Sequence, residues 1–144
     1  SINHDVLLPG LYVSRVDGDV TTYDMRTRRP NTGDLMDNST MHSLEHMFAT
    51  YIRNGDLKDS VVYFGPMGCQ TGFYLLVRNA DNAEVLRQVR LTLTKILAHE
   101  GSVFGAISRE CGNYRNLSLA AAKTEAKRYL SELDARPVTF QYKE

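Results

Sequence analysis

His42, Glu45 and His46, all within the segment HSLEH, carry the sharpest chemical signal in this chain of 144 residues. A helix turns about 100° per residue, which sets His42 and His46 about 40° apart and one turn along. Two imidazoles so placed can grip one metal ion from the same side. Glu45 would stand about 60° from His42, near enough to move a proton beside the ion and offset enough not to ligate it. A third ligand must come from elsewhere. Cys111, in ECGNY, offers a soft thiolate beside a glycine that lets the backbone approach closely. Two imidazoles and one thiolate leave a fourth position open, as catalytic sites do and structural sites do not. HxxEH also occurs in inverted-motif zinc peptidases, which take a carboxylate as third ligand; Glu84 and Glu100 are the candidates here. The plainer alternatives are two surface histidines beside an exposed glutamate, and a small buried thiol at Cys111. Cys69, in PMGCQTG, reads as an inert thiol on its own. Beside an ion that keeps net positive charge, its thiolate would be favoured and could carry protons. Arg26, Arg28 and Arg29 form a basic cluster of the kind usually solvated, though one guanidinium could clamp a substrate carboxylate.

These residues need elements to hold them. The alternating runs LYVSRV (11–16) and VTTYDMR (20–26), joined by Asp-Gly-Asp, predict a β-hairpin. Residues 28–39, rich in Pro, Asn, Asp and Gly, predict a loop. A helix is expected over 40–54, capped by Asn38 or Ser39 and ended by Asn54-Gly55, with Met41, Leu44, Phe48 and Tyr51 as its apolar stripe. SVVYFG and GFYLLVR predict two strands around the Cys69 turn. A second helix is expected over 82–99, with Leu86, Val89, Leu93, Ile96 and Leu97 on one face. Residues 101–114 read as a loop with room for a short strand. A third helix follows over 118–133, striped by Leu119, Ala122, Ala126, Leu130 and Leu133, and VTFQY closes as a strand. The expected fold is α+β: an antiparallel sheet covered by helices, with HxxEH on the first long helix.

Composition narrows the classes of function. A hydrophobic share of 42% and a charged share of 24% are ordinary for a soluble globular protein, and the length suits a single domain over 1–144. Seventeen basic and seventeen acidic residues cancel, which argues against a general nucleic-acid or acidic-membrane partner. No run approaches the roughly 20 apolar residues that span a bilayer. Two cysteines and no charged-then-apolar opening segment suggest a cytoplasmic protein without a disulfide framework.

Five ordered segments, LLPGLYVSR, YDMRTRRPN, HSLEHMFATYIRN, PMGCQTGFYLLV and ECGNYRNLSLAAA, give the chain a resemblance to the S-ribosylhomocysteine lyase (LuxS) family over nearly its whole length. The resemblance implies His42, His46 and Cys111 as metal ligands, with Fe2+ in the cell and Zn2+ or Co2+ able to substitute. It implies Glu45 and Cys69 as general acid/base residues, Arg26 and His4 at the substrate, and a homodimer with active sites at its interface. The implied reaction cleaves S-ribosylhomocysteine to homocysteine and 4,5-dihydroxy-2,3-pentanedione, the autoinducer-2 precursor used in quorum sensing and formed as homocysteine returns to the methyl cycle. Two carbonyl migrations through enediolates precede a β-elimination. Two departures stand out. The family's pocket serine is usually followed by Phe, whereas Ser1 is followed by Ile2, so that role is not carried over. The loop between PN and HSLEH is also one residue longer than usual.

Overall fold

The computed structural model describes residues 2–143, in the order β1 (Gly10–Asp17), β2 (Val20–Arg26), α1 (Asn38–Arg53), β3 (Val61–Pro66), β4 (Gly72–Arg78), α2 (Asn82–Ala98), a 3-10 turn (Tyr114–Asn116) and α3 (Leu119–Ala135). The four strands form one antiparallel sheet in the order β1-β2-β4-β3, so the α+β expectation holds and HxxEH lies on α1. Alternation decides which side each residue takes. Leu11, Met25 and Phe73 face one another across the sheet, as do Tyr23, Leu75 and Phe64, and all six are buried in the core. The same register puts Tyr12, Asp24, Tyr74 and Gly65 in a row on the opposite face.

The three helices pack on the core face and on each other. α1 begins one residue earlier than the cap signals imply: Asp37, not Asn38 or Ser39, accepts the Thr40 N–H at 2.8 Å. Its buried face is Leu44, Met47, Phe48 and Ile52, with Met41 and Tyr51 only half-buried at the edges. Phe48 stacks on Phe64 and Phe64 on Phe73, at centroid distances of 4.5 and 5.1 Å, tying the helix to β3 and β4. α2 and α3 bury Val85, Val89, Leu93 and Ile96, and Ala122, Ala126, Tyr129 and Leu133. Alanines on the buried face of α3 allow it to approach its neighbours closely.

Two expectations are corrected. VTFQY makes only a single parallel bridge, Phe140 to Tyr12, with the Val13 N–H donating to the Phe140 carbonyl at 2.9 Å. Phe140 sits at φ 64°, a left-handed conformation from which extended pairing cannot continue. Residues 101–113 form no strand either, because local bonds such as Ala106 to Val103 and Glu110 to Ile107 take up their backbone groups.

An ion pair fixes the loop that leads into α1. Glu125 of α3 is 1% exposed and takes Arg28 by two hydrogen bonds, of 2.6 and 3.2 Å. Arg28 also donates to Asp34 and to the Leu35 carbonyl. Glu125→Ala leaves Arg28 those two partners, so it is expected to lower the unfolding free energy by about 2–4 kcal/mol, somewhat below the full penalty for breaking a buried pair. Urea unfolding followed by circular dichroism measures it.

Candidate functional site

Helical geometry brings the His42 and His46 rings edge to face at 4.7 Å. Each has its outer nitrogen engaged: His42 Nδ1 with Asn116 Oδ1 at 2.9 Å, His46 Nδ1 with the Phe104 carbonyl at 2.8 Å. A carbonyl oxygen only accepts, so Nδ1 of His46 carries the proton and Nε2 keeps its lone pair; the Asn116 carbonyl does the same for His42. Cys111 Sγ lies 3.3 Å from His42 Nε2 and receives the Asn113 N–H at 3.4 Å. The ligand atoms of His42, His46 and Cys111 all lie within 4.8 Å of one another. That span is close to the reach of two metal–ligand bonds of about 2.0–2.3 Å each, and the N, N, S donor set suits a borderline divalent ion. Imidazoles oriented from behind by amide and carbonyl acceptors are the usual support for such a centre. The residues therefore fit a metal, with Cys111 rather than a carboxylate completing the set. Glu84 is engaged by Arg87 and Gln88 on α2, and Glu100 lies exposed two residues past the end of that helix.

The loop that delivers Cys111 is held by aromatic packing. His99 donates from Nε2 to the Ser102 carbonyl at 2.9 Å and accepts from the Tyr51 hydroxyl at 2.7 Å, while the Phe104 ring packs edge-on against both rings. Gly105 follows at φ 70°, where an added Cβ would come within 3.1 Å of His46 Nδ1. The left-handed backbone and the close approach to the imidazole both favour glycine here. On the far side, Ser39 holds the Asn116 carbonyl and Ser43 accepts the Ser118 N–H, at 2.6 and 2.8 Å. Glu45 is half-buried and, with His42, Asn38, Met41, Pro66 and Asn113, lines a cleft of about 280 Å³.

Cys69 belongs to a second cluster. The turn 67–71 after β3 leaves it exposed, with Sγ 3.0 Å from the Thr71 hydroxyl and 3.7 Å from Arg26 Nη1. Arg26 Nη1 donates to Thr71 Oγ1 at 2.8 Å, which frees the threonine proton to point at the sulfur. Burial pushes the Cys69 thiol up, but the Thr71 hydroxyl and backbone N–H and the Arg26 guanidinium together outweigh it and hold the thiol below its ordinary value. At Gly72 a Cβ would stand 2.7 Å from the Met25 carbonyl, so glycine is what lets β4 close on β2 beside Arg26. Arg26 is buried, unlike the solvated cluster its neighbours suggested: Arg28 is engaged by Glu125, and Arg29 is exposed.

His4 joins neither cluster. It is exposed in the turn 4–6, and among the described residues no hydrogen bond ties it to the other candidates. Ser1 lies outside the described residues. The sequence reading missed Asp24, Thr71, Asn116 and the Phe104 carbonyl. Asp24 could have been found, since two residues from Arg26 on a strand means the same face; Asn116 and Phe104 have no local signal.

A family model described as S-Ribosylhomocysteinase (LuxS) matches residues 1–138. The chain is similar to an S-ribosylhomocysteine lyase of Clostridium beijerinckii, 44% identical over 139 residues, covering 92% of this chain and 87% of that protein. It is similar to one of Finegoldia magna, 40% identical over 138 residues, with 92% and 88% covered. A third, from Borreliella burgdorferi, is 38% identical over 140 residues, with 93% and 89% covered.

Proposed function

The chain belongs to the S-ribosylhomocysteinase family, whose members are carbon–sulfur lyases, and from that premise we propose that it cleaves S-ribosylhomocysteine to homocysteine and 4,5-dihydroxy-2,3-pentanedione. The observation that carries the reading is the convergence of His42, His46 and Cys111, with both outer imidazole nitrogens already bonded.

The chemistry explains why such a site is needed. The C–S bond at C5 is too far from the sugar aldehyde to be activated directly, so the carbonyl must move from C1 to C2 and then to C3. Each move removes a proton beside a carbonyl and returns one to the neighbouring carbon through an enediolate. A divalent ion held by His42, His46 and Cys111, Fe2+ in the cell with Zn2+ or Co2+ as substitutes, supplies Lewis-acid stabilisation of the negative charge that develops on oxygen. Cys69, as thiolate, and Glu45 carry the protons from opposite sides of the sugar. Thr71 and Arg26 favour the basic form of Cys69, Arg26 also helps hold the substrate, and His4 lines the substrate site. Once the ketone is at C3, loss of the C4 proton expels the homocysteine thiolate.

The working unit in this reading is a homodimer of one catalytic domain per chain, with active sites at the interface. The outer sheet face supports it: among the described residues no helix packs on it, and Tyr63 and Tyr74 stand 48% and 40% exposed. His4, which no hydrogen bond among the described residues ties to the other candidates, would then serve a shared site. Among the described residues no helix is long and apolar enough to cross a membrane. A cytoplasmic location suits two cysteines that must both stay reduced.

The decisive experiment incubates anaerobically purified, metal-loaded protein with S-ribosylhomocysteine and follows free thiol. Stoichiometric homocysteine release is expected. Hydrolysis of peptides with no thiol released would overturn the reading in favour of a metallopeptidase, and a saturated coordination shell without turnover would mark a non-catalytic metal-binding module.

A further inference from the structure

Asp24 and Arg26 alternate with the core residues Tyr23 and Met25, so both side chains point to the sheet face that carries no helix. A charged pair there would ordinarily be open to water, yet Asp24 and Arg26 are 1% and 3% exposed. The cover comes in part from segment 137–143, which crosses β1 at the Val13–Phe140 hydrogen bond. There the Tyr142 ring stacks on Tyr12 at 5.0 Å, and its hydroxyl donates to Asp24 Oδ2 at 2.7 Å. Asp24 in turn takes Nε and Nη2 of Arg26 at 3.1 and 2.8 Å. With the Nε/Nη2 edge of the guanidinium occupied, Nη1 is the nitrogen left for Thr71 and Cys69.

We propose that Asp24 and Tyr142 are positioning residues for the reaction: the segment 137–143 clamps Asp24 onto Arg26, and this fixes the guanidinium so that Nη1 meets Thr71 Oγ1 and Cys69 Sγ. The inference rests on the reading of Cys69 as proton carrier. Its physical basis is that a fixed cation, shielded from water, stabilises a nearby thiolate far better than a mobile, solvated one. The charged and titratable groups that bear on the cluster are Arg26 and Asp24 from β2, Tyr12 from β1, Arg90 from α2, Tyr129 from α3, Arg136 at the end of α3, and Tyr142. Burial and the Asp24 carboxylate push the Tyr142 phenol above its ordinary value, so it remains a donor throughout the working range.

Positioning and bare charge predict opposite signs. As a bare charge, Asp24 opposes the Cys69 thiolate, and its neutralisation would favour the thiolate. As a positioning group, its loss frees Arg26 and disfavours it. The test is the pH dependence of iodoacetamide alkylation in the metal-loaded, full-length protein, read on the Cys69 peptide by mass spectrometry so that Cys111 is scored separately. Tyr142→Phe is expected to raise the Cys69 midpoint by about 0.3–0.5 pH unit and Tyr142→Ala by about 0.5–1, a fraction of the 1–3 units an adjacent opposite charge supplies. Turnover at pH 7 falls about 3–10-fold in Tyr142→Ala, with KM within about twofold, and recovers at higher pH, as one unit is tenfold in thiolate. Asp24→Asn should move the midpoint upward too. Tyr142 is only half-buried, so its variants keep the test open if Asp24→Asn does not fold. Unchanged midpoints in both Tyr142 variants, whatever their melting temperatures, would overturn the proposal, as would a downward shift in Asp24→Asn. Wild-type turnover in Cys69→Ala would instead sink the proton-carrier reading, a separate result.

Discussion

His42→Ala protein, purified anaerobically, is expected to lose most of its divalent metal and to release homocysteine at least about 10³-fold more slowly than the unsubstituted chain. Among the described residues three side chains could hold the ion together, so losing one would remove a third of the proposed donor set. Zinc-finger sites with four ligands bind with an apparent 10–16 kcal/mol, which makes one ligand worth roughly 3 kcal/mol, or more than 100-fold in affinity. The remaining ion, if any, would take another water and lose both its fixed place and its Lewis acidity toward the substrate. The effect should be local. Ser39 holds the Asn116 backbone, and the Tyr51–His99–Phe104 packing holds the other flank of the loop, so neither anchor depends on the His42 ring. Elemental analysis and thiol release measure the two losses, and circular dichroism the integrity of the fold. Full stoichiometric metal in His42→Ala would remove it from the ligand set.

Cys69→Ala is expected to separate the two clusters: metal content stays at wild type, while turnover falls about 10²–10⁴-fold, the usual worth of a positioned acid/base group. Glu45→Gln should do the same. The pH dependence follows from the sign of the thiol shift. In the proposed mechanism Cys69 acts deprotonated, and Thr71 and Arg26 outweigh burial to hold its thiol below the ordinary value. The rate should therefore rise with pH through a midpoint below the roughly 8.5 of a free cysteine, and activity is lost as pH falls through it. Measuring kcat/KM across pH in the metal-loaded enzyme checks this. A midpoint at or above 8.5 would mean that the Arg26–Thr71 arrangement does not act on the sulfur.

Much of the fold was legible because it rests on short periods. Alternation in 11–16 and 20–26 located the first hairpin, and the spacing of Leu44 and Phe48 located the buried side of α1. Where reading failed, a competing local fact decided. VTFQY has the composition of a strand, but the left-handed Phe140 stops it after one bridge. Asp37 took the cap from Asn38 and Ser39 because its carboxylate reaches the Thr40 N–H. The stripe assigned to α2 included Leu86 and Leu97, both only half-buried, whereas Gln88 and Thr92 lie inside. Gln88 tolerates burial because it donates to Asp56 and Glu84, a compensation invisible to a hydrophobicity pattern.

What chain geometry dictates over a few residues can be read directly: two imidazoles one helical turn apart, a carboxylate beside them, a thiol in a tight turn, and the family those segments announce. The sequence could name Cys111 and Arg26 as candidates, but not what each would touch. The contacts on which the proposed chemistry rests join residues 69 apart for Cys111 and His42, 43 apart for Arg26 and Cys69, and 118 apart for Tyr142 and Asp24. No local period reaches across such distances. They are set by the β2–β4 register, by the aromatic packing that holds the Cys111 loop, and by the crossing of segment 137–143 over β1. Those in turn follow from how the whole core packs, which is why only the tertiary structure could turn two isolated cysteines into a candidate metal ligand and a thiol held toward its charged form.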